Sequence, residues 1–175
     1  MAKRSQDHRG PAQGVIWDSW NLPKHRFMAW LIAHNSLHTN SRLKGFGLNV
    51  DGMCFLCGRE DETQDHLFFD CAFSRRMIQH LQHFSGLTFP ATDVLHWCIN
   101  SNGLKTQRRV KNAMVLSAMY HVWQQRNKCR IEQLVLRPEV VALLIIYDMK
   151  RRIRERDKRK LNPQELAWLD SLKFP

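Results

Sequence analysis

The sequence predicts an all-α chain: a small helical domain built around a cysteine-rich loop, followed by long basic helices. Three observations carry this reading. Apolar residues return at helical spacing through most of the chain, from Trp17 to Leu172. Three of the five cysteines fall with a histidine inside "CFLCGREDETQDHLFFDC", residues 54–71. The net charge of +11 is uneven: residues 1–53 carry seven basic and three acidic side chains, 54–100 three and six, and 101–175 seventeen and seven.

Taken in order, residues 1–14 hold Gly10, Pro11 and Gly14 without apolar periodicity and read as a flexible arm. Pro23 suits a first helical turn, after which Phe27, Trp30, Leu31 and His34 recur at helix spacing. Thr39 could cap a short helix through Leu43, closed by the glycines of "KGFG". The cysteine segment reads as an irregular loop. Phe73, Met77, Leu81 and Phe84 make 72–84 an amphipathic helix, and 91–99 a short one. A long helix is expected over 106–128, with Val115, Met119, Val122 and Trp123 on its apolar side. After Pro138 a second long helix should run to about residue 159, with Ala142, Ile146, Met149 and Ile153 on one face. Pro163 opens a closing helix, 162–172. The resulting organisation is an arm (1–14), a metal-loop domain (15–100) and a basic helical region (101–175).

Within the loop, Cys54 and Cys57 stand two residues apart, eight more lead to His66, and four more to Cys71. A C-x2-C step lets two thiolates grip one ion from a tight turn, and Gly58 supplies the backbone freedom such a turn needs. His66 and Cys71 are close enough to close a tetrahedron. Three sulfurs and one nitrogen form a closed structural zinc set with no open position for a substrate. As ordinary buried side chains the cysteines would act as small apolar groups; spacing, ligand types and an odd cysteine count favour one structural zinc. Cys98 and Cys129 are isolated on helix faces, and His80 and His83 are expected to serve packing or surface.

The stretch "LPKHRFMAWLIAHNSLHTNSRL" followed by "CFLCGREDETQDHLFFDCAFSRRM" resembles the zinc-binding domain downstream of reverse transcriptase in plant LINE-type non-LTR retrotransposons. The matching features are Pro23, Lys24, Phe27, Trp30, Leu37, Thr39, Leu43, the four ligands, Glu62, Thr63 and "HLFFDC" at 66–71. "YHVWQQRNK" (120–128) is similar to the tail of such domains, so the resemblance covers about 16–130. It departs at Met77, where this family often carries tryptophan, a change that bears on packing rather than on metal. The resemblance implies a nucleic-acid-binding appendage of an element-encoded polymerase. Opening on Met and holding no [YF]-x-D-D acid pair for two metals, the chain is expected to be a fragment of an insertion or a separately expressed descendant. The nearest candidate, "YDMK" at 147–150, has one acid beside a lysine. No phosphate loop, H-E-x-x-H or nucleophile elbow occurs either, so no enzyme activity is expected.

Between Lys105 and Arg130 there are seven basic residues and no acid. Between Lys150 and Lys160 there are eight, against Glu155 and Asp157. Such density suits a phosphate backbone, read with little sequence preference. Lys105, Arg108, Arg109, Lys111, Arg126, Lys128 and Arg130, with Lys150, Arg151, Arg152 and Arg154, are the expected contacts to RNA or single-stranded DNA. The bland alternative is a solvated charged face. Of the six tryptophans, Trp30 and Trp123 are expected in the core, and Trp17 and Trp20 as an exposed pair for stacking; Trp97 and Trp168 carry no assignment. Other readings are a zinc-stabilised scaffold whose acidic 60–70 segment docks a protein, and a relic with no selected role. A reverse transcriptase acting in trans is a further expected partner. The longest apolar run, 140–146, is too short for a bilayer, and no secretory signal is present, so an intracellular place, nucleus or cytoplasm, is expected.

Overall fold

A computed structural model describes residues 11–89, 94–100, 102–155, 158–172 and 174. Among the described residues eight α-helices follow one another: α1 (Pro11–Ile16), α2 (Pro23–Ala33), α3 (Asn40–Gly45), α4 (Ala72–Ser85), α5 (Val94–Ile99), α6 (Lys105–Glu132), α7 (Pro138–Arg154) and α8 (Pro163–Ser171). Among the described residues there is no strand, only an isolated antiparallel bridge between Met53 and Asp61. The predicted all-α class holds.

The long helix α6 is the axis of the fold. Its 28 residues extend about 42 Å at helical rise. Val110, Met114, Ala118 and Val122 stand four apart and are buried, and every residue from Asn112 to Met119 is buried as well. A helix enclosed all round in its middle is a central element and not a surface one. Helix α2 packs on it, α7 lies against both α6 and α4, α8 meets it, and α5 joins it to α1. Pro23, Pro138 and Pro163 each open a helix, where a missing N–H costs nothing. Gly86, at φ 67°, closes α4 in the left-handed conformation. Helix α7 buries Val141, Ala142, Ile145, Ile146 and Met149, while Met77 and Leu81 of α4 are fully enclosed.

Several local expectations are corrected. Helix α1 begins at Pro11, inside the segment expected to be an arm, and buries Ile16; residues 1–10 lie outside the described residues. Of the helix expected over 91–99, residues 91–93 lie outside them too. Helix α7 stops at Arg154, short of 159, and a 3-10 turn covers Lys158–Lys160. On α2 the apolar face is turned round: His25, Met28 and Ala29 are buried, whereas Phe27 is 58% and Trp30 38% exposed. Met28 and Ala29 give a narrow surface on which α6 can approach. The large rings left outside stack along the helix, Phe27 on Trp30 at 6.1 Å and Trp30 on His34 at 4.5 Å. The expected exposed pair divides, with Trp17 exposed and Trp20 buried at 4%. Trp123 is half-buried, and the side chain of Trp97 lies outside the described residues.

Candidate metal centre and its anchorage

Cys54 and Cys57 sit on a turn closed by Gly58, whose N–H donates to the Cys54 carbonyl at 2.7 Å and whose φ is 63°. Few side chains adopt that conformation, hence the glycine. His66 and Cys71 bracket a π-helical turn, His66–Asp70, in place of the expected irregular loop. The Cys71 N–H reaches the His66 carbonyl five residues back at 2.7 Å, so both side chains face the same side. Thr63 begins this turn, its hydroxyl accepting from the His66 N–H at 3.0 Å.

The four predicted ligands come together as one mostly buried cluster with donor atoms mutually within 4.8 Å. The Cys54 and Cys71 sulfurs are 3.9 Å apart, and Cys57 Sγ lies 3.3 Å from His66 Nε2. Zinc bonds of about 2.3 Å to sulfur and 2.0–2.1 Å to nitrogen put tetrahedral neighbours roughly 3.8 Å (S–S) and 3.5 Å (S–N) apart. The donor set therefore fits one zinc. His66 Nδ1 lies 3.3 Å from Glu60 Oε2, the side of the ring away from the thiolates, though not aligned for a hydrogen bond. A carboxylate there orients a ligating imidazole. The Cys71 thiol is held down to about 5, first by the Cys54 S–H donating to it and then by the Ser74 and Phe73 N–H groups opening α4, with burial opposing. Cys54, the donor of that pair and itself buried, is pushed up. A thiolate at a helix N-terminus is thereby favoured before any metal arrives. His80 and His83 pack against the Phe84 ring, outside the ligand cluster.

The loop is fastened to α6 by Glu62, which is fully buried. Its Oε1 accepts from Arg126 Nε at 2.9 Å, Arg126 Nη2 at 2.6 Å and the Asn40 N–H at 3.0 Å. Its Oε2 accepts from the Phe55 N–H at 3.2 Å. Thr39 takes the N-cap position of α3, but Glu62 supplies the cap. Arg126, 1% exposed, also donates to the His38 carbonyl and to Asn40 Oδ1, beneath the rings of Phe55 and Trp123. Cys129 adds a second tie, its Sγ 3.1 Å from the Phe55 carbonyl. Arg126 is thus corrected from a phosphate contact to a structural anchor: it is enclosed and already paired.

The other expected contacts divide between two ends of α6. Lys105, Arg108, Arg109 and Lys111 begin the helix, and the antiparallel α7 brings Lys150, Arg151, Arg152 and Arg154 to the same end. Both groups meet the α1–α2 turn: Arg109 pairs with Asp18 at 3.0 Å, and Arg152 donates to the Ser19 and Trp20 carbonyls. Lys105, Arg108, Arg151 and Arg154 are exposed. Lys128 and Arg130 stand apart, roughly 35 and 38 Å along the axis from Lys105, with Arg130 beside the metal loop.

Sequence reading missed a second buried group. His25 of α2, His121 of α6 and Asp148 of α7 converge, with His121 Nε2 3.3 Å from Asp148 Oδ2. Burial holds His25 down to about 3, with Lys24 and His121 adding to the effect and Asp148 opposing it. Hydrogen bonding to His121 holds Asp148 below the usual carboxylate range. Three residues on three distant helices leave no local spacing to recognise.

Residues 2–77 match the family described as zinc-binding in reverse transcriptase, which supports a domain of that kind over this part of the chain, with a ligand cluster able to hold one metal ion. The match ends inside α4 and does not include α6, where the sequence resemblance extended to about residue 130. No curated protein and no solved structure matches the chain.

Proposed function

We propose that the protein is a non-catalytic zinc module derived from a plant LINE-type retrotransposon reverse transcriptase protein, binding RNA or single-stranded DNA through one basic end. The observation that carries this is the gathering of exposed Lys105, Arg108, Arg151 and Arg154 from two antiparallel helices, beside exposed Trp17. Cations on such a surface displace counterions from phosphates, and an indole beside them offers a stacking plane for a base. The zinc loop, with six acids against three bases over residues 54–100, serves as scaffold. No described helix is long and apolar enough to cross a membrane, and we place the protein in the nucleus or cytoplasm, with a reverse transcriptase in trans as a candidate partner.

The test compares zinc-loaded protein on single-stranded RNA, single-stranded DNA and duplex across a salt series. Neutralising Arg108 and Lys105, or Arg151 and Arg154, should weaken binding to all sequences alike. Each lost phosphate contact should make the salt slope shallower by roughly 0.7 on a single strand. Arg59→Ala should change little. Binding that ignored salt and these substitutions would sink the proposal. It would favour instead a protein-interaction scaffold, to which exposed Ile131 and Leu134 at the α6–α7 link also point.

A further inference from the structure

We infer that His25, His121 and Asp148 form a second divalent transition-metal site, distinct from the thiolate cluster and suited to zinc. One donor atom from each lies within 4.8 Å of the other two. Two imidazoles and one carboxylate form a set that zinc accepts, with a fourth position left to water. The His121–Asp148 separation, 3.3 Å, already equals the roughly 3.3 Å between neighbours in a tetrahedral shell of 2.0–2.1 Å bonds.

An independent observation points to a ligand. His25 is 97% buried (3% exposed), yet its Nε2 has no hydrogen-bond partner, and neither has Nδ1 of His121, itself 7% exposed. Buried polar nitrogens rarely go unpaired, because the lost hydration is not replaced. One ion would satisfy the His25 nitrogen and use the carboxylate beside it. Access is from the Asp148 side, whose side chain is 19% exposed. The nearby cation, Lys24, is drawn over the Tyr120 ring, 4.6 Å from its centroid. With one carboxylate, no thiolate and that lysine close by, the site should bind more weakly than the four-ligand cluster.

The location gives the ion a task. His25 belongs to the segment that matches the zinc-binding family, while His121 and Asp148 lie beyond it. A metal here would clamp α2 to α6 and α7, joining the zinc domain and the basic region into one cooperative unit.

The test uses the full chain with its thiolate cluster filled by one equivalent of zinc, then dialysed against cobalt(II). A second equivalent should enter with the weak visible bands of a nitrogen–oxygen site and without sulfur-to-cobalt charge transfer in the near ultraviolet. His25→Gln and Asp148→Asn should each lower total uptake from two metals to one and abolish the rise in melting temperature that the second equivalent brings. Wild type that takes up one metal only, or variants that both keep the second, would overturn the inference. Should a variant fail to fold by circular dichroism, uptake by wild type, with the ring-nitrogen NMR shifts of His25 and His121 on metal addition, decides the matter alone.

Discussion

Replacing Arg126 by methionine separates the structural reading of this residue from the one its charge suggests. The guanidinium is 1% exposed and gives two of the four hydrogen bonds that the buried Glu62 carboxylate accepts. Methionine keeps the stem and much of the volume but leaves an unpaired carboxylate, held only by the Asn40 and Phe55 N–H groups. Breaking one side of such a pair costs about 3–5 kcal/mol. That is a large share of the roughly 5–15 kcal/mol that holds a domain folded. At a slope of about 2 kcal/mol per molar urea, the midpoint should fall by roughly 2 M. Glu62→Gln should cost a similar amount, and the double variant clearly less than the sum, since the two residues share one interaction. The assay is urea unfolding of zinc-loaded protein, followed by RNA binding under conditions where each variant is folded. Unchanged stability with uniformly weaker binding would refute the structural reading and restore Arg126 to the phosphate surface.

Three further outcomes follow from the same geometry. Chelation of the thiolate-bound zinc, about one equivalent per chain, should release the amides of 50–75 to rapid exchange while the α6–α7 core stays protected; full protection in the metal-free chain would contradict it. Trp20→Ala should cost about 3–5 kcal/mol as a core truncation and Trp30→Ala less than about 1 kcal/mol, by thermal or urea unfolding. Glu165 is held below its ordinary pKa first by the Thr106 hydroxyl, then by the Thr106 N–H, which donates to it at 3.0 Å at the start of α6, the Asn162 N–H and Lys105, with burial opposing. That stabilisation is present above the unfolded value and lost as pH falls through the lower folded one. Glu165→Gln should therefore be less stable than wild type at pH 7 and close to it once Glu165 of the wild type is protonated at acid pH, and a gap unchanged by pH would count against it.

Legibility varied with how local the cause was. The ligand set could be read because all four residues lie within eighteen positions and their spacing alone is diagnostic. The π turn could not, since nothing in "HLFFD" distinguishes a five-residue from a four-residue bond before Cys71 has to face the metal. Apart from α1, helix existence followed from prolines and periodicity. Helix orientation failed on α2, where aromatic size suggested burial while the close approach of α6 selected Met28 and Ala29. Glu62 and the His25 cluster act through partners far along the chain, which one sequence does not announce.

The misreading of α6 has a physical lesson of its own. Its stretch from Lys105 to Arg130 has seven bases and no acid, which suggested a surface free to meet phosphate throughout. The acids come instead from elsewhere in the chain. Asp18 takes Arg109, Glu62 takes Arg126, Asp148 takes His121 and Glu165 takes the Thr106 N–H. Each comes from a different segment: the α1–α2 turn, the metal loop, α7 and α8. A stretch of helix without acids of its own leaves its cations to be claimed by the elements packed against it, and here those pairings order the fold around one axis. The cations left over, Lys105 and Arg108 at one end and Lys128 and Arg130 at the other, are exposed. The first pair is joined by exposed Arg151 and Arg154 of α7, whereas the second has exposed Arg137 of the α6–α7 link together with the acids Glu132 and Glu139, so the denser group of cations lies at the first end.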